Sequence, residues 1–253
     1  MYPYIYIGNF ELRSYALFVA LGIIAGFLTL FLSLTNSSPA HKKKIFIFAV
    51  LIFVPFYIGA RLGFIIESFL NKTPLYISPA GGTSLWWGVL AAVLTSIPLS
   101  RLLKTNIWET ADMFAPSIAI GGFFTKIGCL FNGCCFGVPA SSGFFLSTFF
   151  SVYSEPYRIY GNEGLHPTQL YEALSWLVIF FILIIKKREV SFNGELIMIC
   201  GFCYSAARFF IDFFRHHETT MLLSLSVSHF YSAAVIIVVP FLFVLKTRQN
   251  RRR

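Results

Sequence analysis

Residues 45–70 read IFIFAVLIFVPFYIGARLGFIIESFL, an apolar run interrupted by charge only at Arg61 and Glu67. A helix of about 20 residues crosses about 30 Å of hydrocarbon, so this stretch predicts a membrane span. Six other stretches repeat the pattern: Tyr15–Leu34, Ser84–Leu103, Trp108–Phe131, Thr168–Ile185, Leu196–Arg215 and Leu222–Leu245. None alternates as barrel strands do, and Pro55 and Pro98 predict kinks inside their helices. Over 253 residues the chain is 57% hydrophobic and only 12% charged, where a soluble domain carries about 25% charge. The same composition excludes disordered, collagen-like, disulfide-scaffold and coiled-coil classes. The predicted fold class is all-α: a polytopic integral membrane protein of about seven transmembrane helices, one membrane domain over residues 1–253.

The net charge of +9 is explained by where the cations lie. Lys42, Lys43 and Lys44 follow the first span, and Arg101 and Lys104 the third. Lys186, Lys187 and Arg188 follow the fifth, and Lys246, Arg248, Arg251, Arg252 and Arg253 close the chain. With alternating spans, all of these fall on one side, and the positive-inside rule makes that side the cytoplasm. The N-terminus is then outside and the C-terminus cytoplasmic. Attraction to anionic inner-leaflet lipid accounts for the basic tail, so no nucleic acid partner is expected. The first nine residues hold no basic side chain, so no cleavable signal peptide is expected. The longest connection, residues 132–167, is predicted outside, with room for a short surface helix or a strand pair.

Among the five cysteines, Cys200 and Cys203 form a C-x-x-C inside an apolar span, where small polarizable contact residues are expected. Cys129, Cys134 and Cys135 sit near the outer end of span four, where a disulfide or a metal is conceivable. No histidine stands at zinc-ligand spacing beside them.

Charges inside spans are costly and mark cavities or partners. Arg61, Lys126 and Arg208 are the intramembrane cations, each past the middle of an outward-running span. They share a predicted outer-leaflet level with Arg13, Tyr15, Trp86, Trp87, His166, Glu172 and His229. Arg215 lies two helical turns beyond Arg208, about 10 Å along the axis. One reading is structural: Arg208 and Asp212, four residues apart, neutralise each other, Glu67 pairs with Arg61, and the tryptophans anchor the interface. The functional reading is that the cations await an anion, and the anion at that depth is a phospholipid phosphate. Asp112, near the cytoplasmic end of span four, reads as a helix-start residue or a packing anchor.

These residues fall into ordered strings. Arg13-Ser14-Tyr15 opens span one, and Gly59-Ala60-Arg61-Leu62-Gly63 lies in span two. Span four ends Lys126-Ile127-Gly128-Cys129-Leu130-Phe131-Asn132-Gly133-Cys134-Cys135-Phe136-Gly137. His166-Pro167-Thr168-Gln169-Leu170-Tyr171-Glu172 opens span five, and Arg208-Phe209 and Asp212-Phe213-Phe214-Arg215 end span six. In this order the set resembles the bacterial prolipoprotein diacylglyceryl transferases, from about Arg13 to the start of span seven. The resemblance implies a multi-pass enzyme of the inner membrane with its site facing the periplasmic leaflet. Its members transfer the diacylglyceryl group of phosphatidylglycerol to the thiol of a lipobox cysteine in a prolipoprotein signal peptide. Glycerol 1-phosphate is released, and neither metal nor other cofactor is implied. Partners would be phosphatidylglycerol, the signal peptide and membrane lipids.

Residue by residue, the resemblance gives Arg208 the place of the essential arginine, with Asp212 where a glutamate is usual and Tyr15 as the span-one tyrosine. These three form the catalytic set. Lys126 stands for the leading arginine of the signature, Asn132 is retained, and Gly137 closes it. With Arg61 and His166 these form the phosphatidylglycerol-binding set. Trp86 replaces the histidine of a Ser-x-His-Gly-Gly string, which here reads Ser84-Leu85-Trp86-Trp87-Gly88. Tryptophan accepts no proton, so His229 becomes the candidate base, unless the field of Lys126 and Arg208 ionises the thiol unaided. A second reading is a divergent paralogue that binds phospholipid or passes its lipid moiety to another acceptor. A small-solute transporter is a third.

Overall fold

The computed structural model describes residues 4–7, 10–35, 37–70, 84–217 and 225–251. Among them, seven helices are long and apolar enough to cross a membrane. In chain order the elements are β1 (Tyr4–Ile7), β2 (Phe10–Arg13), α1 (Ser14–Ser33), α2 (Pro39–Leu70), α3 (Leu85–Leu103) and α4 (Ile107–Asn132). Then come α5 (Glu155–Tyr160), α6 (Thr168–Lys186), α7 (Glu195–Ile211) and α8 (Val227–Arg251). The antiparallel β1–β2 pair, with Tyr4 opposite Arg13, was not foreseen. Contacts divide the chain into two compact units, Met1–Ser33 with Ala111–Arg253, and Leu34–Thr110.

Two helix boundaries differ from expectation for identifiable reasons. α2 starts at Pro39, not Ile45, because Ser38-Pro39 is a helix-start signal: the Ser38 hydroxyl accepts the His41 N–H at 3.3 Å, and proline suits the first helical position. Lys42, Lys43 and Lys44 therefore lie within the helix. α7 ends at Ile211 and tightens into a 3₁₀ turn over Asp212–Phe214, so Arg215 lies outside the helix. The last span was expected to begin at Leu222, and residues 222–224, like Arg252 and Arg253, lie outside the described residues. Its helix runs on to Arg251.

In the smaller unit, α2 and α3 meet through glycines. A Cβ at Gly63 would fall 2.1 Å from the Trp87 ring, and one at Gly59 would fall 2.4 Å from the Ala91 methyl. Such close backbone approach is how apolar helices associate where lipid supplies no hydrophobic drive. The Glu67 carboxylate accepts from Ser84 at 2.9 Å and from the Trp87 indole at 3.0 Å.

In the larger unit, α4 is the shared surface. Gly22 of α1 packs against Gly121 and Phe124, and Gly122 admits the Trp176 ring from α6. Ala115 and Ala119 of α4, Ile179 and Leu183 of α6, and Leu196 and Cys200 of α7 form a buried core. Trp176 stacks on Tyr204 above it, with centroids 4.2 Å apart. Cys200 is thus a packing residue, as its apolar setting suggests. Asp112 is not at a helix start. Buried on α4, it accepts the N–H groups of Gly194 at 2.7 Å and Ile197 at 2.9 Å, capping α7 from a neighbouring helix. Replacing a buried acceptor of two such bonds leaves orphaned donors, at about 1–3 kcal/mol. Asp112→Ala should therefore lower the thermal midpoint of the detergent-solubilised protein, while Asp112→Asn, which keeps one acceptor oxygen, should lower it less.

Candidate functional site

The site assembles around one carboxylate. Glu172 lies in the opening turns of α6, after the His-Pro that ends the long connection, and its side chain is fully buried. Its Oε2 meets Lys126 Nζ of α4 at 2.8 Å. Its Oε1 accepts from Arg208 Nη1 of α7 at 2.7 Å and from Arg215 Nη1 at 3.2 Å. Arg208 is held at two further points, Nη2 on Asp212 Oδ1 at 2.9 Å and Nε on Ser228 Oγ at 3.1 Å. Every edge of that guanidinium is therefore directed by a fixed acceptor. Only a planar fork with several N–H donors could be held this way.

Asp212 starts the 3₁₀ turn that ends α7, and so faces α8 as well as Arg208. Its Oδ2 accepts from the Ser226 hydroxyl and lies 3.3 Å from both His217 Nε2 and His229 Nδ1. The Ser226 backbone N–H donates to His229 Nδ1 at 3.2 Å, so that nitrogen is an acceptor. The neutral ring then carries its proton on Nε2, which is buried among the rings of Phe209 and Phe213. In this network three cations, Lys126, Arg208 and Arg215, face two carboxylates, Glu172 and Asp212. Among these five side chains the cations exceed the carboxylates by one.

Arg215 reaches Glu172 because the long connection holds its backbone. Gly137 bridges Arg215 in antiparallel fashion, the Val138 N–H donates to Phe214 O at 2.9 Å, and the His216 N–H donates to Phe136 O at 3.0 Å. The Gly137 N–H donates to His166 O at 3.1 Å. A Cβ at Gly137 would lie 2.4 Å from His166 O and 2.6 Å from Phe214 O, so glycine is required there by close approach. His166 lies between Phe144 and Phe214, with Nδ1 3.1 Å from the Tyr171 hydroxyl. Phe136, Phe150 and Leu165 give the connection its own small core, joined by α5 and isolated bridges at Pro139 and Thr148. Of the short helix or strand pair expected here, the helix is present, while pairing within the segment is limited to isolated bridges.

Beside Lys126, the end of α4 carries three thiols. Gly133 (φ +76°) and Cys135 (φ +59°) turn the chain back over the helix end. Thr168 Oγ1 donates to Cys135 O at 2.7 Å, and Gln169 Nε2 to Cys134 O at 2.8 Å. All five cysteines are unpaired thiols. Tyr15, at the first turn of α1, is partly exposed and packs beside Gly128, within electrostatic reach of Lys126 and the thiols. Asn132 is the exposed last residue of α4, next to Cys134.

Of the residues singled out from sequence, Lys126, Arg208, Asp212 and His229 lie in one bonded network. Tyr15 and Asn132 border it, and Gly137 and His166 belong to the scaffold that positions Arg215. Arg61 lies on α2, in the other compact unit. Glu172, Arg215, Ser226, Ser228 and His217 were not singled out as site residues. Glu172 was visible as an acid at the start of a span, but its partners are far away in sequence. Arg215 was visible only as a second arginine beyond Arg208, on a helix expected to continue.

The prolipoprotein diacylglyceryl transferase family model matches residues 3–245. A phosphatidylglycerol–prolipoprotein diacylglyceryl transferase of Clostridium kluyveri is 27% identical over 97% of this chain and 96% of its own length. One from Synechococcus sp. is 30% identical over 82% of this chain and 77% of its own. The enzyme named phosphatidylglycerol–prolipoprotein diacylglyceryl transferase 2 of Clostridium perfringens is 24% identical over 96% of this chain and 94% of its own. With a match running through the strings that build the Glu172 network, the chain belongs to the prolipoprotein diacylglyceryl transferase family.

Proposed function

We propose that this protein transfers the diacylglyceryl group of phosphatidylglycerol to the lipobox cysteine thiol of prolipoproteins, releasing glycerol 1-phosphate, with the site facing the periplasmic leaflet. The N-terminus is then outside, the C-terminus is cytoplasmic, and the protein resides in the bacterial inner membrane. The observation that carries the reading is the buried excess of one positive charge in the Lys126–Arg208–Arg215 network, which complements the single negative charge of a phosphodiester.

The reaction breaks the bond between the diacylglyceryl carbon and the phosphate oxygen and forms a carbon–sulfur bond. The thiolate's charge moves onto the departing phosphate, which becomes a monoester. Cations fixed beforehand around that phosphate stabilise the charge as it develops, with no reorganisation at the moment of reaction. Arg208 is the catalytic residue in this scheme, with Asp212 orienting its guanidinium and Tyr15 bordering the site. Lys126, with Asn132 beside the same helix end, binds the headgroup. Gly137 and His166 serve binding by positioning Arg215. His229, whose Nδ1 accepts the Ser226 N–H, acts as a positioning residue for Ser226, whose hydroxyl donates to Asp212, and the cationic field favours the thiolate, the thiol proton passing to water before attack.

Purified protein given phosphatidylglycerol vesicles and a lipobox peptide should add a diacylglyceryl mass to the peptide. Arg208→Lys cannot reach Glu172, Asp212 and Ser228 together, and kcat should fall on the order of 10²-fold. Phosphatidylglycerol binding without any mass gain would replace this reading with the lipid-binding paralogue, and solute flux in liposomes with that of a transporter. Glu172→Gln should leave three cations facing one carboxylate in a buried setting. Stability should drop by about 3–5 kcal/mol, read as a lowered unfolding midpoint in detergent.

A further inference from the structure

The three thiols at the end of α4 are not needed for the transfer chemistry, yet the fold brings them together. Cys129 closes the last turns of the helix, and the N–H groups of Gly133 and Cys134 both donate to its carbonyl, at 3.0 and 3.2 Å. This cap and the left-handed backbone at Gly133 and Cys135 return Cys134 and Cys135 to the Cys129 side chain. The three Sγ atoms lie within 4.8 Å of one another, and among the described residues this is where His, Cys, Asp or Glu ligand atoms converge in threes.

With a metal–sulfur distance of about 2.3 Å, trigonal or tetrahedral coordination places sulfurs about 3.8–4.0 Å apart. With the Sγ atoms within 4.8 Å of one another, closing to that spacing takes at most about 1 Å. The backbone of the turn is already clamped from outside, by Thr168 on Cys135 O and Gln169 on Cys134 O. Lys126 lies one turn before Cys129 on the same helix. An all-sulfur donor set selects soft ions over Mg(II), Ca(II) or Mn(II).

We infer that Cys129, Cys134 and Cys135 form a binding site for one soft metal cation, Zn(II) or Cu(I). Cu(I) is satisfied by three sulfurs, while Zn(II) takes a fourth ligand from solvent. The ion is not a reactant in the transfer, so the inference stands independently of the transferase reading.

The test uses the full-length protein in detergent, reduced, stripped of metal and handled without oxygen. It is titrated separately with Zn(II) against a chromogenic chelator and with Cu(I) against a cuprous chelator. One equivalent of one of the two ions should bind, and X-ray absorption should show three sulfur neighbours. Cys134→Ser and Cys135→Ser should each weaken binding by more than about 100-fold, beyond what loss of an outer-shell partner costs. Cys203→Ser, in the unrelated α7 pair, should change nothing, and size-exclusion profiles should show all three variants folded. The inference is overturned if neither ion binds, if binding survives both serine variants of the turn, or if Cys203→Ser abolishes it.

Discussion

A carboxylate shared by three cations organises this protein. Charges at membrane depth persist only with partners or in a polar cavity, and Glu172 partners Lys126, Arg208 and Arg215 at once. Those cations come from α4, from α7 and from the segment just beyond α7. Burying Glu172 therefore ties three parts of the chain to α6. Asp212 relieves part of the remaining charge and ties α7 to α8 through Ser226. The structural and functional accounts of these charges are not rivals. Two cations are neutralised, which makes their burial tolerable, and the third supplies the attraction for an anion.

The long connection supports the same network. Arg215 could not sit on Glu172 if α7 continued helically, because two further turns would carry it about 10 Å from Arg208. The 3₁₀ turn at Asp212–Phe214 ends the helix, and the bridge to Gly137 holds the next residues in extended form. Gly137 and His166, which resembled ligand-binding residues in one dimension, thus exert their effect through backbone geometry.

Much of this was legible in the sequence, and the part that was not has a common cause. Span number followed from apolar length, and the Arg208–Asp212 pair from four-residue spacing on one helix. Ser38-Pro39 was a readable start signal hidden by the lysines after it, and Gly8-Asn9 between apolar residues was a readable hairpin signal. The Glu172 pairs with Lys126 and Arg208 span 46 and 36 residues, and no local periodicity encodes them. Only the His-Pro-x-Gln-Leu-Tyr-Glu string, through its family resemblance, set Glu172 apart from an ordinary span-end acid. The three cysteines were legible as neighbours. Their convergence depends on two left-handed residues, one of them the non-glycine Cys135, which composition does not reveal.

The replacement of a histidine by Trp86 looks at first like the loss of a base, but in the proposed reaction the site's charge balance takes over that role. A thiol entering a field with an excess positive charge ionises more readily, since the same charge that attracts a phosphodiester also favours a thiolate. As sulfur bonds to carbon, its negative charge passes to the phosphate without leaving the reach of Arg208. The cations that ionise the nucleophile are then the ones that stabilise the leaving group, and one fixed network serves both ends of the displacement. A titrating base would have to give up its own charge state during the step. A guanidinium held by Glu172, Asp212 and Ser228 keeps its charge throughout.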